Sequence, residues 1–216
     1  MQDRVKNSRV QQVIELFLLF LMLPIILSMN VPSLLKVTIA ITTVGYLVWL
    51  MRKNQQWTAT LLFAFGAQCN WRAMLLRFCV FAVISAVAVY HYLPNKFFVM
   101  PQDYPLMWAA ISLFYVVFSV YPQEIIYRQF FFWRYRGLVN NSQAFITLNA
   151  VLFCLAHLMF WNNWVLALTL AGGFLFSHTF STSRSVMFTS IEHSLYGLWL
   201  FTIGVGEMLA FPMPSS

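Results

Sequence analysis

The chain has 216 residues, of which 61% are hydrophobic and only 9% charged, with a mean hydropathy of +0.72. A soluble domain carries roughly 25% charged residues, so the composition excludes an ordinary soluble domain and indicates an integral membrane protein. The formal charge of +7 would suggest nucleic acid in a soluble chain, but in a membrane protein it is first tested against topology.

A spanning helix needs about 20 mostly apolar residues. Candidate spans fall at 13–29, 33–51, 73–93, 105–121, 143–160, 164–181 and 186–205, separated by polar punctuation such as "NVPS", "MRKNQQW", "LPNK", "RGLVNNS" and "STSRS". The N-terminus reads as a retained start, because no small-residue cleavage site follows the first apolar run. The segment 56–71, "QWTATLLFAFGAQCNW", predicts an interfacial amphipathic helix. There is no internal repeat, low-complexity tract or second soluble domain. The expected fold class is therefore all-α: one polytopic integral membrane domain of about seven transmembrane helices with a polar cavity between them.

Placing the N-terminus in the cytoplasm puts Arg4, Lys6, Arg9, Arg52, Lys53, Arg72, Arg77, Arg128, Arg134, Arg136 and Arg184 on the inner side. Only Lys96 falls clearly outside, and Lys36 lies near the outer end of the second span. This asymmetry accounts for the positive charge as an orienting, anionic-lipid-holding feature, with no nucleic acid as partner. Cys69, Cys79 and Cys154 show no CxxC spacing, so neither a disulfide framework nor a zinc knuckle is indicated. The aromatic run Phe130 to Trp133 reads as an interface belt.

Ionisable residues inside spans are costly, so each is a candidate functional group. "QEIIYR" carries Glu124 and Arg128 four residues apart, on one helix face. "NAVLFCLAH" sets Asn149, Phe153 and His157 on one stripe of the fifth span, and "SIEHSLYG" places Glu192 and His193 in the seventh. His178 and His91 lie near span ends and read as packing or interfacial residues, and Asn149 alone would be ordinary interhelical glue. A carboxylate with two histidines suits a general base acting on water with imidazoles orienting it, or a zinc ligand set of Glu124, His157 and His193. No HExxH spacing favours the metal.

"QEIIYR", "FCLAH" and "HSLYG", in that order on consecutive hydrophobic segments, resemble the CAAX protease and bacteriocin-processing (CPBP) family of intramembrane endopeptidases, whose pattern is EExxxR, FxxxH and HxxxN or HxxxD. The resemblance covers roughly 105–205. It divides the membrane domain into N-terminal helices with the interfacial segment, 1–104, and a catalytic helical core, 105–216. Two positions depart from the pattern. Gln123 stands where the family has its first glutamate, and Gly197 where it has Asn or Asp. Either Glu124 takes over the base role, or Glu192 supplies the carboxylate, or the chain is a non-catalytic relative.

The resemblance implies cleavage of a membrane-anchored or lipidated protein near its C-terminus. Glu124 would activate water, His157 and His193 would hold it and stabilise the oxyanion, and Arg128 would orient the glutamate. Gln123, Asn149 and Glu192 would be supporting residues. No cofactor is expected, with a divalent metal left open. The partners are the bilayer and a membrane-protein or lipopeptide substrate, in a bacterial inner-membrane-like setting. The alternative is a non-catalytic relative acting in bacteriocin immunity or as a scaffold. A haem held by His157 and His193 is a rival from another class. A transporter is disfavoured because no short, broken spans recur in matching positions.

Overall fold

The computed structural model describes residues 2–66 and 68–209, with the side chains of 2–8 and 209 outside that description. Arg4 and Lys6, counted above among the inner-side charges, therefore lie outside the described side chains. No strand occurs among the described residues. The protein is an all-α polytopic membrane protein. Among the described residues, six helices are long and apolar enough to cross a membrane: α1 Arg9–Ser28, α2 Ser33–Lys53, α3 Trp71–Tyr92, α4 Pro105–Tyr135, α5 Ser142–Phe160 and α6 Asn163–Ser183. The seventh expected span is α7, Val186–Thr202, which at 17 residues is the shortest of the set. On α3, Leu76, Val80, Val83, Ile84 and Val87 are 53–67% exposed. They recur every three or four residues and form the apolar stripe that lipid, not water, must cover.

Local signals start these helices. Asn70, Asn141 and Ser185 accept from the backbone N–H of Ala73, Ala144 and Phe188 at 3.0, 3.0 and 3.1 Å, capping α3, α5 and α7. Within α1 and α4 the regular helix is interrupted. π-helical segments Phe17–Met22 and Tyr115–Val120 each end two residues before a proline, Pro24 and Pro122. Proline lacks the N–H for its own helical bond and its ring crowds the carbonyl four residues back, so the preceding turn widens to accommodate it. A third π segment, Ile125–Phe130, follows in α4.

Two expectations are corrected. The segment 56–71 is not one interfacial helix: among its described residues before Trp71, where α3 begins, only Ala59–Phe63 is helical, and Ala67 lies outside the described residues. The run "QWTATLLF" supplies too short an apolar stretch between Gln and Gly for more than one turn or so. The fourth span does not end at 121 but continues to Tyr135, and Phe130, Phe131 and Phe132 of its aromatic run are core, not an interface belt, while Trp133 is half-buried.

The chain divides into two compact units, Met1–Leu62 with Ile125–His178, and Phe63–Glu124 with Thr179–Ser216. In the first unit, Phe130, Phe131 and Tyr135 are fully buried. Phe20 meets Tyr127, Phe131 and Tyr135 edge-on at 5.2, 5.1 and 5.7 Å, and Phe132 meets Phe145 at 5.0 Å. Edge-to-face pairs of this kind add about 0.5–1.5 kcal/mol each beyond their buried area, so these rings stabilise more by packing together than by facing headgroups. In the second unit, Tyr115, Val120 and Phe201 form a buried cluster with Leu198 against it. Trp199 Nε1 donates to Ser85 Oγ at 2.9 Å and Trp108 Nε1 to Thr202 Oγ1 at 3.1 Å.

Candidate active site

The second unit brings Glu124 and His193 together. The Glu124 carboxylate is fully buried, and His193 Nδ1 lies 2.8 Å from its Oε1. An ionised carboxylate only accepts, so with Glu124 ionised Nδ1 is the donor and Nε2 is the ring nitrogen that faces away from the carboxylate. Tyr115 Oη lies 3.4 Å from that Nε2. Carboxylate, imidazole and phenol thus form one buried row.

The π segment explains how α4 contributes both ends of that row. Tyr115 and Glu124 are nine residues apart, and in an uninterrupted α-helix such a separation turns the chain by about 900°, leaving the side chains on opposite faces. The wider i→i+5 turn advances by only roughly 80° per residue, so the six residues Tyr115–Val120 bring the two to within roughly 60° of each other. Pro122 causes the widening, and the widening aligns the side chains.

Gln123 points elsewhere. Its Nε2 donates to Ser119 Oγ at 2.9 Å on its own helix. Glu192, fully buried, is held by Arg77 Nη2 at 2.7 Å, with Thr179 Oγ1 on the same nitrogen at 3.4 Å. The carboxylate adjacent to His193 in sequence is thus occupied by an arginine 115 residues away. One residue of helix rotation sends Glu192 to a different neighbour from His193.

The first unit holds the remaining expected residues. Arg128 is fully buried; its Nη1 donates to Asn149 Oδ1, and its guanidinium lies over the Phe153 ring, 4.8 Å from the centroid. Asn149 donates from Nδ2 to the Tyr127 carbonyl at 2.9 Å and accepts from Ser177 Oγ at 2.6 Å. Asn149 is therefore the hub that ties α4, α5 and α6 within this unit. His157 lies where α5 loosens before the 3₁₀ turn Leu158–Phe160. Its Nδ1 donates to the Phe153 carbonyl at 2.8 Å, which leaves Nε2 as the basic atom. The Phe, Asn and His of the expected stripe on α5 share one face and serve one neighbourhood.

The sequence pattern did not single out Tyr115, Arg77, Ser177 or Glu15. Ser177 stands four residues beyond Gly173, and that small-residue spacing was the available signal. Among the described residues, no group of three or more His, Cys, Asp or Glu side chains lies close enough to share a metal ion. The three cysteines are free. Burial raises the Cys69 thiol above its ordinary range, which keeps it protonated and unreactive near neutral pH.

A family model described as type II CAAX prenyl endopeptidase Rce1-like matches residues 105–199. Residues 105–199 are similar to that family. The match is consistent with the CPBP family, which is in general one of proteases, and it spans α4 to α7 with Glu124, Arg128, His157 and His193. Within the matched segment, α4, α5 and α6 are helices long and apolar enough to cross a membrane. No curated protein and no solved structure matches the chain.

Proposed function

We propose that this chain is an intramembrane endopeptidase that cleaves a membrane-anchored or lipidated protein near its C-terminus, with Glu124 and His193 acting as a dyad on water. The observation that carries the proposal is the 2.8 Å bond between the buried Glu124 carboxylate and His193 Nδ1. Glu124 fixes the tautomer that leaves Nε2 as the base, and it stabilises the imidazolium once a proton arrives. A water oxygen attacks the scissile carbonyl carbon while its proton passes to Nε2. The carbonyl π electrons move onto oxygen and form the tetrahedral oxyanion. Collapse then breaks the C–N bond as the imidazolium returns its proton to the departing nitrogen, giving a carboxylic acid and an amine. Compared with direct attack on water by Glu124, this makes the glutamate the orienting and charge-balancing partner.

His157 and Arg128 enter the proposal through the family motifs they match. His157 presents a basic Nε2 suited to holding water, and Arg128 is held rigidly by Asn149. The inner-side excess of arginine and lysine supports an N-terminus in the cytoplasm, and a bacterial inner-membrane-like location is part of the same reading.

A membrane-embedded assay of the full chain tests this. The probe is a reporter carrying a prenylated CAAX-type tail, and the products are read by mass spectrometry. Wild-type protein should cleave it, with Glu124→Gln and His193→Ala slower by about 100-fold or more. Processing that survives in both variants, or its absence from wild type, overturns the proposal. One observation favours a second reading, a non-catalytic relative that binds: Gln123 takes the place of a family carboxylate and is engaged by Ser119. That reading expects Glu124→Gln to keep full biological function.

A further inference from the structure

Gly197 faces the Tyr115 phenol. A Cβ built on Gly197 would lie 2.1 Å from Tyr115 Oη and 2.4 Å from its Cε1 and Cζ, well inside contact distance. Only glycine at 197 therefore lets this ring stand where it does. The ring is buried, with its edge against Phe201 at a centroid distance of 4.8 Å. Its hydroxyl reaches the vicinity of the imidazole nitrogen that faces away from Glu124. A phenol needed only for packing has no reason to aim its oxygen at Nε2, and phenylalanine would fill the same volume.

We infer that Tyr115 is a further catalytic residue, whose hydroxyl donates a hydrogen bond to the oxyanion formed beside His193 Nε2. This rests on the reading of Glu124 and His193 as a hydrolytic dyad. In the resting site the O–H points toward Nε2 at 3.4 Å, a separation long enough to loosen when water and substrate enter. Nε2 then takes the water's proton, and the phenol turns its hydrogen to the carbonyl oxygen on the same carbon. The donor thus comes from α4, through the space that a missing side chain at 197 on α7 leaves open. The hydroxyl donates a hydrogen bond and keeps its proton throughout, so the proton inventory of the reaction is unchanged.

The test uses the full chain in nanodiscs with the prenylated-tail reporter, and nitrogen NMR of labelled histidine as a readout independent of turnover. In Tyr115→Phe the His193 Nε2 resonance should move, and kcat should fall about 100-fold or more with KM within about twofold, the usual loss for one oxyanion donor. Tyr115→Ala alone and Gly197→Asn alone should both be poorly active. Tyr115→Ala combined with Gly197→Asn should recover at least about tenfold over Tyr115→Ala, because the amide restores a donor in the vacated space. Tyr115→Ala combined with Gly197→Leu fills the space without a donor and should not recover. An unmoved resonance overturns the contact. A moved resonance with wild-type kcat in Tyr115→Phe, or equal recovery with leucine, overturns the donor role while leaving the dyad standing. Loss of the dyad reading shows separately, as full activity in Glu124→Gln and His193→Ala or as an uncleaved reporter in wild type, and it removes the donor role with it.

Discussion

Arg134 donates from Nε and Nη2 to the two carboxylate oxygens of Glu15, both at 2.8 Å, while Tyr135 and Tyr46 donate to the same carboxylate at 2.8 and 3.0 Å. A carboxylate in the first span is thus satisfied by four donors from two other helices. Arg134 is an internal tie of the first unit as well as a positive charge near a span end. The expected result of Arg134→Ala is a loss of about 3 kcal/mol, because it strands a mostly buried carboxylate. Thermal unfolding in detergent, followed by tryptophan fluorescence, checks it. Glu15→Gln, which keeps the acceptor and the shape, should cost less than the arginine truncation.

Pro122 and the π segment before it predict a positional effect. In Pro122→Ala the stretch Tyr115–Val120 can return to regular helix, and the phase of Tyr115 relative to Glu124 shifts by about 120°. Reporter cleavage should fall at least tenfold while the protein gains or keeps thermal stability. Unchanged cleavage would show that the π segment does not align the site.

Glu192 and Gln123 separate bystanders from the dyad. Because Arg77 holds Glu192 and Ser119 holds Gln123, Glu192→Gln and Gln123→Ala should each retain turnover within about fivefold. Arg77→Ala should instead lower stability by about 3 kcal/mol, since it leaves the fully buried Glu192 without its cation. A turnover assay paired with thermal unfolding reads both. Abolished cleavage in Gln123→Ala would return the central role to that position.

Gly173 predicts a packing limit. A Cβ there would lie 2.9 Å from Ala150 Cα and 3.0 Å from its carbonyl oxygen, so Gly173→Ala forces α5 and α6 apart. Asn149 would lose Ser177 as a donor in consequence. A loss of about 1–3 kcal/mol is expected, whereas Gly45→Ala, with nothing within 4 Å, should be neutral or slightly stabilising. Unfolding midpoints of the two variants settle the comparison.

The fold class was legible because hydropathy is a property of each segment by itself. Seven apolar runs had to become helices, since a backbone in lipid must bond within its own segment. Glu124, Asn149, His157 and His193 were legible for a related reason: polar groups in such runs are too costly to be incidental. The aromatics Phe130 to Phe132 were misread because the same rings suit a headgroup belt and a core, and only a partner such as Phe20 or Phe145 decides between them. Glu15 drew no attention because a lone carboxylate near the start of a span resembles an end-of-helix charge.

Sequence alone therefore determined that the protein is an all-α membrane protein and singled out polar groups on α4, α5 and α7 as candidates. The tertiary structure decided which carboxylate His193 meets, which arginine neutralises Glu192, and that a tyrosine enters the space left by Gly197. The first set follows from the cost of placing each group in lipid, which is local. The second depends on helix phase and on pairings between residues 69 to 119 positions apart, and a one-residue turn of helix, about 100°, is enough to change every partner.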